Sequence, residues 1–376
     1  TLTLKIITLI IFLFLTNNAS SIEVNFHAWG GSNNINDYIG NLIEDLVDSG
    51  IDLKHTKISD TESSVNLILS ESINQKSKVD LIWINGENFQ KLKLNNLLYG
   101  PINDLNNLKF INLEDETLIN DFGIPTDNYE IPWGRSQFVF LYDKELIESP
   151  PKDIFDLKKF IIMNPGRFTY PKLPNFHGTT FLKQILYELG HYNLMTNKFN
   201  SENDDHKNAI NELLNFVNEI NPYLWSKGKR YPKNNMEMMK MLANREIFIS
   251  LSFNPNEASA QIINGNLREN TGTFIFNNGT IANTHYLAIP KYSNNIEGSL
   301  IVINELLSPK YQALKMNPHI WGDPTVLDLK KLNKDQLSLF KFDYQNNNLD
   351  NNVKKMLEPH ISWTEVIEKY WIENFN

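Results

Sequence analysis

Between residues 22 and 90 short apolar stretches alternate with helical stripes, and that order constrains the fold more than any other feature of the sequence. Glu23 to Ala28 reads as a strand with Val24 and Phe26 on one face, closed by the turn Trp29-Gly30-Gly31-Ser32. Ile35, Ile39, Leu42, Ile43, Leu46 and Val47 then recur at helical spacing until Gly50 stops them. Leu53 to Ile58 is a second strand, and Asp60 or Thr61 caps a second helix carrying Val65, Leu67, Ile68 and Leu69. Val79 to Ile84 is a buried-type third strand, and Glu87 opens the next helix. Strands separated by helices imply an α/β fold built on a parallel sheet covered on both faces.

In such sheets ligands bind off the carboxyl ends of the strands. Two polar loops fall there, Trp29 to Asn34 and Asn85 to Asn88. Further on, Ile131 to Arg135 and the apolar run Phe138 to Tyr142 read as one long crossing strand. A helix to Met163, a second α/β unit from Arg167 with a helix from Thr179 to Leu189, and a polar surface loop near Asn197 to Lys207 follow. Helices are expected at Ile210 to Ile220, Met236 to Leu242, Asn256 to Ile263, Gly298 to Leu307 and Trp363 to Trp371. Strands are expected at Ile247 to Leu251, Phe274 to Phe276 and Tyr286 to Pro290, and Asn346-Asn347-Asn348 reads as surface. A chain of 376 residues exceeds what one core usually holds, so two domains are expected.

The net charge of −9, with no basic run beyond Lys227 to Arg230, argues against nucleic acid as a partner. There is no cysteine, which removes disulfides, thiolate zinc sites, thiol nucleophiles and a lipid anchor on an N-terminal cysteine. Lys5 followed by the apolar run Ile6 to Leu15 and the small residues Ala19-Ser20-Ser21 describes a signal peptide over residues 1–21, cleaved near Ser21. The run is half what a membrane span needs, and no later stretch is long enough. Export by a cleaved leader, and not as a lipoprotein, is therefore expected.

Catalytic signatures are absent: no phosphate-binding loop, no Gly-x-Ser-x-Gly elbow, no His-Glu-x-x-His. The eight histidines are scattered, so neither metal nor cofactor is expected. The candidate binding residues sit at the loop ends. Trp29 and Trp133 can form faces of an aromatic box, which favours cations and flat rings. Glu87 can neutralise a cationic ligand or stabilise the dipole of its own helix. Thr179 and Thr180 can bond a ligand or cap a helix. Ser32, Asn33, Asn85, Asn88, Arg135, Asn254, Asn283 and His285 complete the polar set.

Several long runs resemble a known family. His27-Ala28-Trp29-Gly30-Gly31-Ser32, Asp80 to Phe89, Pro132-Trp133-Gly134, Asn164 to Pro171 and Gly178 to Gln184 are similar to the YnjB-type periplasmic binding proteins of ABC transporters. The resemblance implies a two-lobed type II periplasmic-binding-protein fold, each lobe a mostly parallel sheet flanked by helices, joined by crossing hinge strands. Lobe one would hold residues 22–133 and 286–318, lobe two 134–285 and 319–376. The implied function is capture of a small polar, cationic nitrogenous ligand between the lobes by a monomer, and its delivery to a membrane permease, without catalysis. An exported two-domain hydrolase acting in the cleft is the alternative. More distantly the layout is similar to polyamine- and thiamine-binding proteins. Where polyamine binders carry an aromatic and an acidic residue, this chain has Asn283 and His285.

Overall fold

The computed structural model describes residues 21–71, 77–342 and 354–375. Residues 1–20 of the expected signal peptide and the Asn346 to Asn348 patch lie outside the described residues. In chain order the first unit is β1 (Ile22–Trp29), α1 (Asn33–Leu46), β2 (Ile51–Ile58), α2 (Thr61–Ser70), β3 (Leu81–Ile84) and α3 (Glu87–Leu94). A short helix α4 (Glu116–Ile119) leads into the small hairpin β4 (Asn120–Asp121) and β5 (Ile124–Pro125). The chain then leaves through β6 (Ile131–Gln137) and β7 (Val139–Asp143). Next come α5 (Ile154–Met163), α6 (Phe176–Leu186), α7 (Tyr192–Met195), α8 (Asp204–Ile220), α9 (Asn235–Ala243), β8 (Ile249–Ser252), α10 (Glu257–Ile263) and β9 (Thr271–Phe274). It returns along β10 (Thr280–Ala288) to α11 (Ile296–Leu306), α12 (Pro309–Met316) and α13 (Lys334–Ser338), and ends with β11 (Lys355–Met356) and α14 (Ser362–Phe375).

The expected first unit is present. β1 pairs parallel with β2 and β3, and Asp60 caps α2 by accepting the Ser63 N–H. Ile35, Tyr38, Ile39, Leu42 and Leu46 form the buried stripe of α1. Removing each such side chain from water is worth about 1.5–3 kcal/mol. The larger sheet runs β11-β10-β3-β1-β2, with β6 also paired to β10.

The second lobe differs in direction from the expected parallel sheet. Its described ladder is β8-β7-β9, and β7 is antiparallel to both neighbours. The helix crossover logic survives there. β8 and β9 run the same way, joined through α10, and β7 is wedged between them because it arrives straight from the hinge strand β6. Phe138 splits the expected long crossing strand into β6 and β7. Two other boundaries also move. α6 starts at Phe176 under an Asn175 cap, not at Thr179, and α8 begins at Asp204 inside the expected loop, capped by Asn203.

Each lobe has its own core. Phe138, Phe140, Leu182, Val217, Leu251, Trp363 and Trp371 belong to the second. Phe26, Leu53, Trp133, Val302 and Tyr311 belong to the first. Val326, Leu327, Leu332 and Phe340, expected with lobe two, pack in the first core with Trp321 against them. Among the described residues after Phe340, Met356 is the first that belongs to the second core. The chain therefore passes between cores three times: at Phe138, along β10, and between Phe340 and Met356.

The β6–β10 ladder is the central crossing, with Ala282 opposite Gln137, Thr284 opposite Arg135 and His285 opposite Gly134. Buried Asp323 accepts from Lys315 Nζ at 2.6 Å and meets His285 Nε2 at 2.9 Å, directly behind that strand. A Cβ on Gly134 would lie 1.9 Å from His285 Nε2 and 2.4 Å from Asp323 Oδ2. Gly134→Ala should therefore destabilise the protein by about 1–3 kcal/mol, the usual range for forced overpacking, read as a lower midpoint in urea unfolding. An unchanged midpoint would mean that the His285 ring yields freely.

Candidate functional site

The carboxyl end of β3 delivers the chain into Asn85-Gly86-Glu87-Asn88, and Gly86 takes φ +60° and ψ −132°, a conformation that suits glycine. That turn aims the start of α3 at a cavity of about 340 Å³. Its lining comes from both lobes. The first contributes Asn85 to Asn88 and Phe122; the second contributes Pro174, Phe176, Thr179 and Lys183 around the start of α6, and Ile361, Thr364, Glu365 and Glu368 around the start of α14. A volume of this size suits a small metabolite.

Three carboxylates face this space, Glu87, Glu365 and Glu368. Thr179 Oγ1 donates to Glu368 Oε1 at 2.7 Å and orients it. Burial, with the charges of Glu87 and Glu365 adding to it, pushes the Glu368 carboxyl above its ordinary value, against the Thr179 hydroxyl and Lys183. Among the described residues of the lining Lys183 is the one cation, and it is already engaged: Nζ lies 3.3 Å from Glu358 Oε2, with both side chains buried, and 5.1 Å from the Phe122 ring. Asn88 Oδ1 and Thr364 Oγ1 are buried atoms of the lining without a hydrogen-bond partner. Phe122 and Phe176 supply apolar faces. A helix dipole accounts for Glu87 and Glu365, which sit in first turns, at about 0.3–1 kcal/mol each. It does not account for Glu368, two turns into α14.

Under the loop lies a second acidic feature. Gly86 N–H donates to Asp121 Oδ2, and Asp121 adjoins Glu130, both fully buried. Burial pushes the Asp121 carboxyl up to about 8, with the Glu358 charge adding and the Gly86 N–H opposing. Glu130 is raised by burial and then by Asp121. Neither Glu130 oxygen meets a donor elsewhere, so the contact becomes a hydrogen bond only while the two acids share a proton.

Of the residues singled out in the sequence, the cavity brings together Asn85, Glu87, Asn88 and Thr179. The others lie outside its lining. Trp29 is 43% exposed with its ring over the Gly31 turn, Ser32 precedes α1 without a side-chain cap bond, and Asn33 opens that helix. Trp133 is wholly buried, its ring 5.0 Å from Trp83 and 5.8 Å from His285. Arg135 pairs with Asp115; burial pushes that carboxyl up, but Arg135 and Thr117 hold it below its ordinary value. Thr180 is buried inside α6. Asn254 Oδ1 accepts from Asn256 N–H in the turn before α10. Asn283 bonds Glu358 and Ser136, and His285 faces Asp323. Phe122, Phe176, Lys183, Thr364, Glu365 and Glu368 were not anticipated. The available signal was a pair of carboxylates three residues apart on the final amphipathic helix.

Among the described residues no helix is long and apolar enough to cross a membrane, and no cluster of three or more His, Cys, Asp or Glu side chains is placed to hold a metal.

Residues 47–328 match the family described as bacterial extracellular solute-binding protein. The chain is 32% identical over 367 residues to protein YnjB of Escherichia coli (strain K12), covering 96% of this chain and 93% of that protein. Among solved structures it resembles a putative extracellular solute-binding protein from Bordetella parapertussis, with TM-score 0.69, 11% identity, and 94% and 99% of the two chains covered. It also resembles the spermidine/putrescine substrate-binding protein PotD of Streptococcus pneumoniae, with TM-score 0.68, 15% identity, and 94% and 98% covered. The apo ferric ion-binding protein A of Pasteurella haemolytica gives 0.66, 14%, 94% and 98%. At these identities the structures speak for the two-lobed type II fold.

Titration of the Asp121–Glu130 pair gives a checkable pH dependence. A carboxyl raised in the folded state binds protons there that the unfolded chain has lost, so stability falls as pH rises from about 4 toward about 8. Calorimetric melting temperatures of the wild type should drop between pH 5 and pH 8, and Asp121→Asn should flatten the drop. Parallel curves for the two proteins would show that the pair does not titrate in this window.

Proposed function

The chain belongs to the bacterial extracellular solute-binding proteins, and from that premise we propose that it captures a small organic cation in the interlobe cavity for an ABC importer. The protein is a transport component and not an enzyme. The observation that carries the ligand class is the gathering of Glu87, Glu365 and Glu368 around one cavity in which Lys183, the one cation among the described lining residues, is paired with Glu358. An ammonium group placed there gains from each carboxylate, and Asn88 Oδ1 and Thr364 Oγ1 supply acceptors for its N–H groups. Phe122 and Phe176 would cover the ligand's carbon skeleton and add attraction for the charge.

In this reading lobe one is residues 22–133 with 286–340, and lobe two is residues 134–285 with the C-terminal segment. Ligand contacts from both lobes favour a closed form, and the closed form is what the membrane permease receives. The protein works as a monomer outside the cytoplasm, after cleavage of its leader near Ser21 and without a lipid anchor.

Native mass spectrometry of the protein purified from its exported compartment, followed by denaturing release, tests the proposal. A stoichiometric nitrogenous cation is the expected finding; a bound sugar, anion or metal would replace the ligand class. With the released compound in hand, Glu87→Ala and Asn88→Ala should each weaken binding about tenfold or more in calorimetric titration, the loss expected for a hydrogen bond to a charged group. Trp29→Ala should leave it unchanged. The reverse pattern would move the site to the Trp29 loop.

A further inference from the structure

The three cavity carboxylates are divided between the lobes, and this division has a consequence for closure. Glu87 stands on α3, whose Phe89 and Leu92 pack in the first lobe. Glu365 and Glu368 stand on α14, whose Trp363, Ile367 and Trp371 pack in the second. The charge of Glu87 reaches Glu368 across the gap. Bringing the lobes together therefore brings like charges together. Lys183 tempers the crowding at Glu368, while Glu358 holds its ammonium in a buried pair on the second lobe's side.

Resting on the cation reading above, we infer that Glu87, Glu365 and Glu368 form an electrostatic latch that holds the empty protein open and makes positive charge the agent of closure. A neutral solute of the same shape fills the cavity but leaves the repulsion in place. An anion adds to it. Only a cation removes it, so selectivity arises at the closing step as well as at first contact. The three residues are specificity-determining through the conformational equilibrium. A ligand shifts that equilibrium only by its extra affinity for the closed form, and neutralising these charges supplies that difference. Thr179 matters here as a positioning residue, since its hydroxyl fixes which way Glu368 points.

The test needs no ligand. The chain has no cysteine, so Ser59→Cys on the first lobe and Lys172→Cys on the second give a unique pair for dyes, both at exposed positions. Single-molecule energy transfer then reads the open and closed populations of the empty protein at low salt. Glu87→Gln, and separately Glu365→Gln with Glu368→Gln, should each raise the closed-to-open ratio by about fivefold or more, the low end for coupled equilibria. Raising salt should close the wild type and leave the triple Gln variant unmoved, because screening weakens the repulsion among the three carboxylates and the triple variant no longer carries it. Glu23→Gln, at an exposed carboxylate away from the cavity, is the control and should change nothing. If the Gln variants match the wild type in both populations and salt response, the latch is overturned. A cation found by native mass spectrometry would then still stand as the ligand. Variants that close without ligand while no cation is recovered would keep the latch and remove the proposed ligand.

Discussion

The antiparallel pairing of β6 with β10 is the contact on which the rest of the molecule turns. Two strands running in opposite directions carry the chain out of the first lobe and back into it, and their ladder from Ile131 to Gln137 ties both cores to one axis. Its support is unusually polar. Asp323 gathers Lys315 and His285 behind the strand, and both flanking positions leave room only for glycine at residue 134. A buried ion pair such as Lys315 with Asp323 is weak as a source of stability but strict about geometry, since removing one member strands the other without a partner. Such a device suits a hinge, where the strand path has to be fixed while the lobes on either side remain free to rotate.

The proposed binding face was half legible in the sequence. The order of strands and helices from Ile22 to Leu94 announced the first sheet, and the rule that ligands sit at carboxyl ends of strands pointed to Asn85, Glu87 and Asn88. Local pattern was enough because a single βα turn supplies all three. The second wall was hidden because it is assembled from distant pieces. Thr179 and Lys183 meet Thr364, Glu365 and Glu368 only after α14 docks on α6 and α8. No spacing within either segment records that meeting. Trp133 illustrates the opposite case: an aromatic residue next to a polar loop reads as a binding face, yet the β-strand alternation around it turns the ring into the core beside Trp83 and Trp321.

The sheet of the second lobe shows a similar limit. Strand–helix–strand order correctly implies that β8 and β9 run in one direction. It says nothing about a third strand inserted between them by the hinge. Likewise, residues 320–340 carry no composition that distinguishes one lobe from the other. Their allegiance is decided by Val326, Leu327 and Phe340 finding apolar partners in the first core.

Four of the thirteen residues that line the cavity, Ile361, Thr364, Glu365 and Glu368, come from one late segment of the chain, and this sets the order in which the cavity is built. A chain made from its amino end completes β1, β2, β3 and the Asn85 loop long before it reaches Thr364, Glu365 and Glu368. Until α14 has seated Trp363 and Trp371, the loop faces only Pro174, Phe176, Thr179 and Lys183 across the cavity, and two of the three carboxylates are missing. The acidic character of the cavity is in this sense a late product of synthesis, set by a helix that the chain adds after the loop it faces.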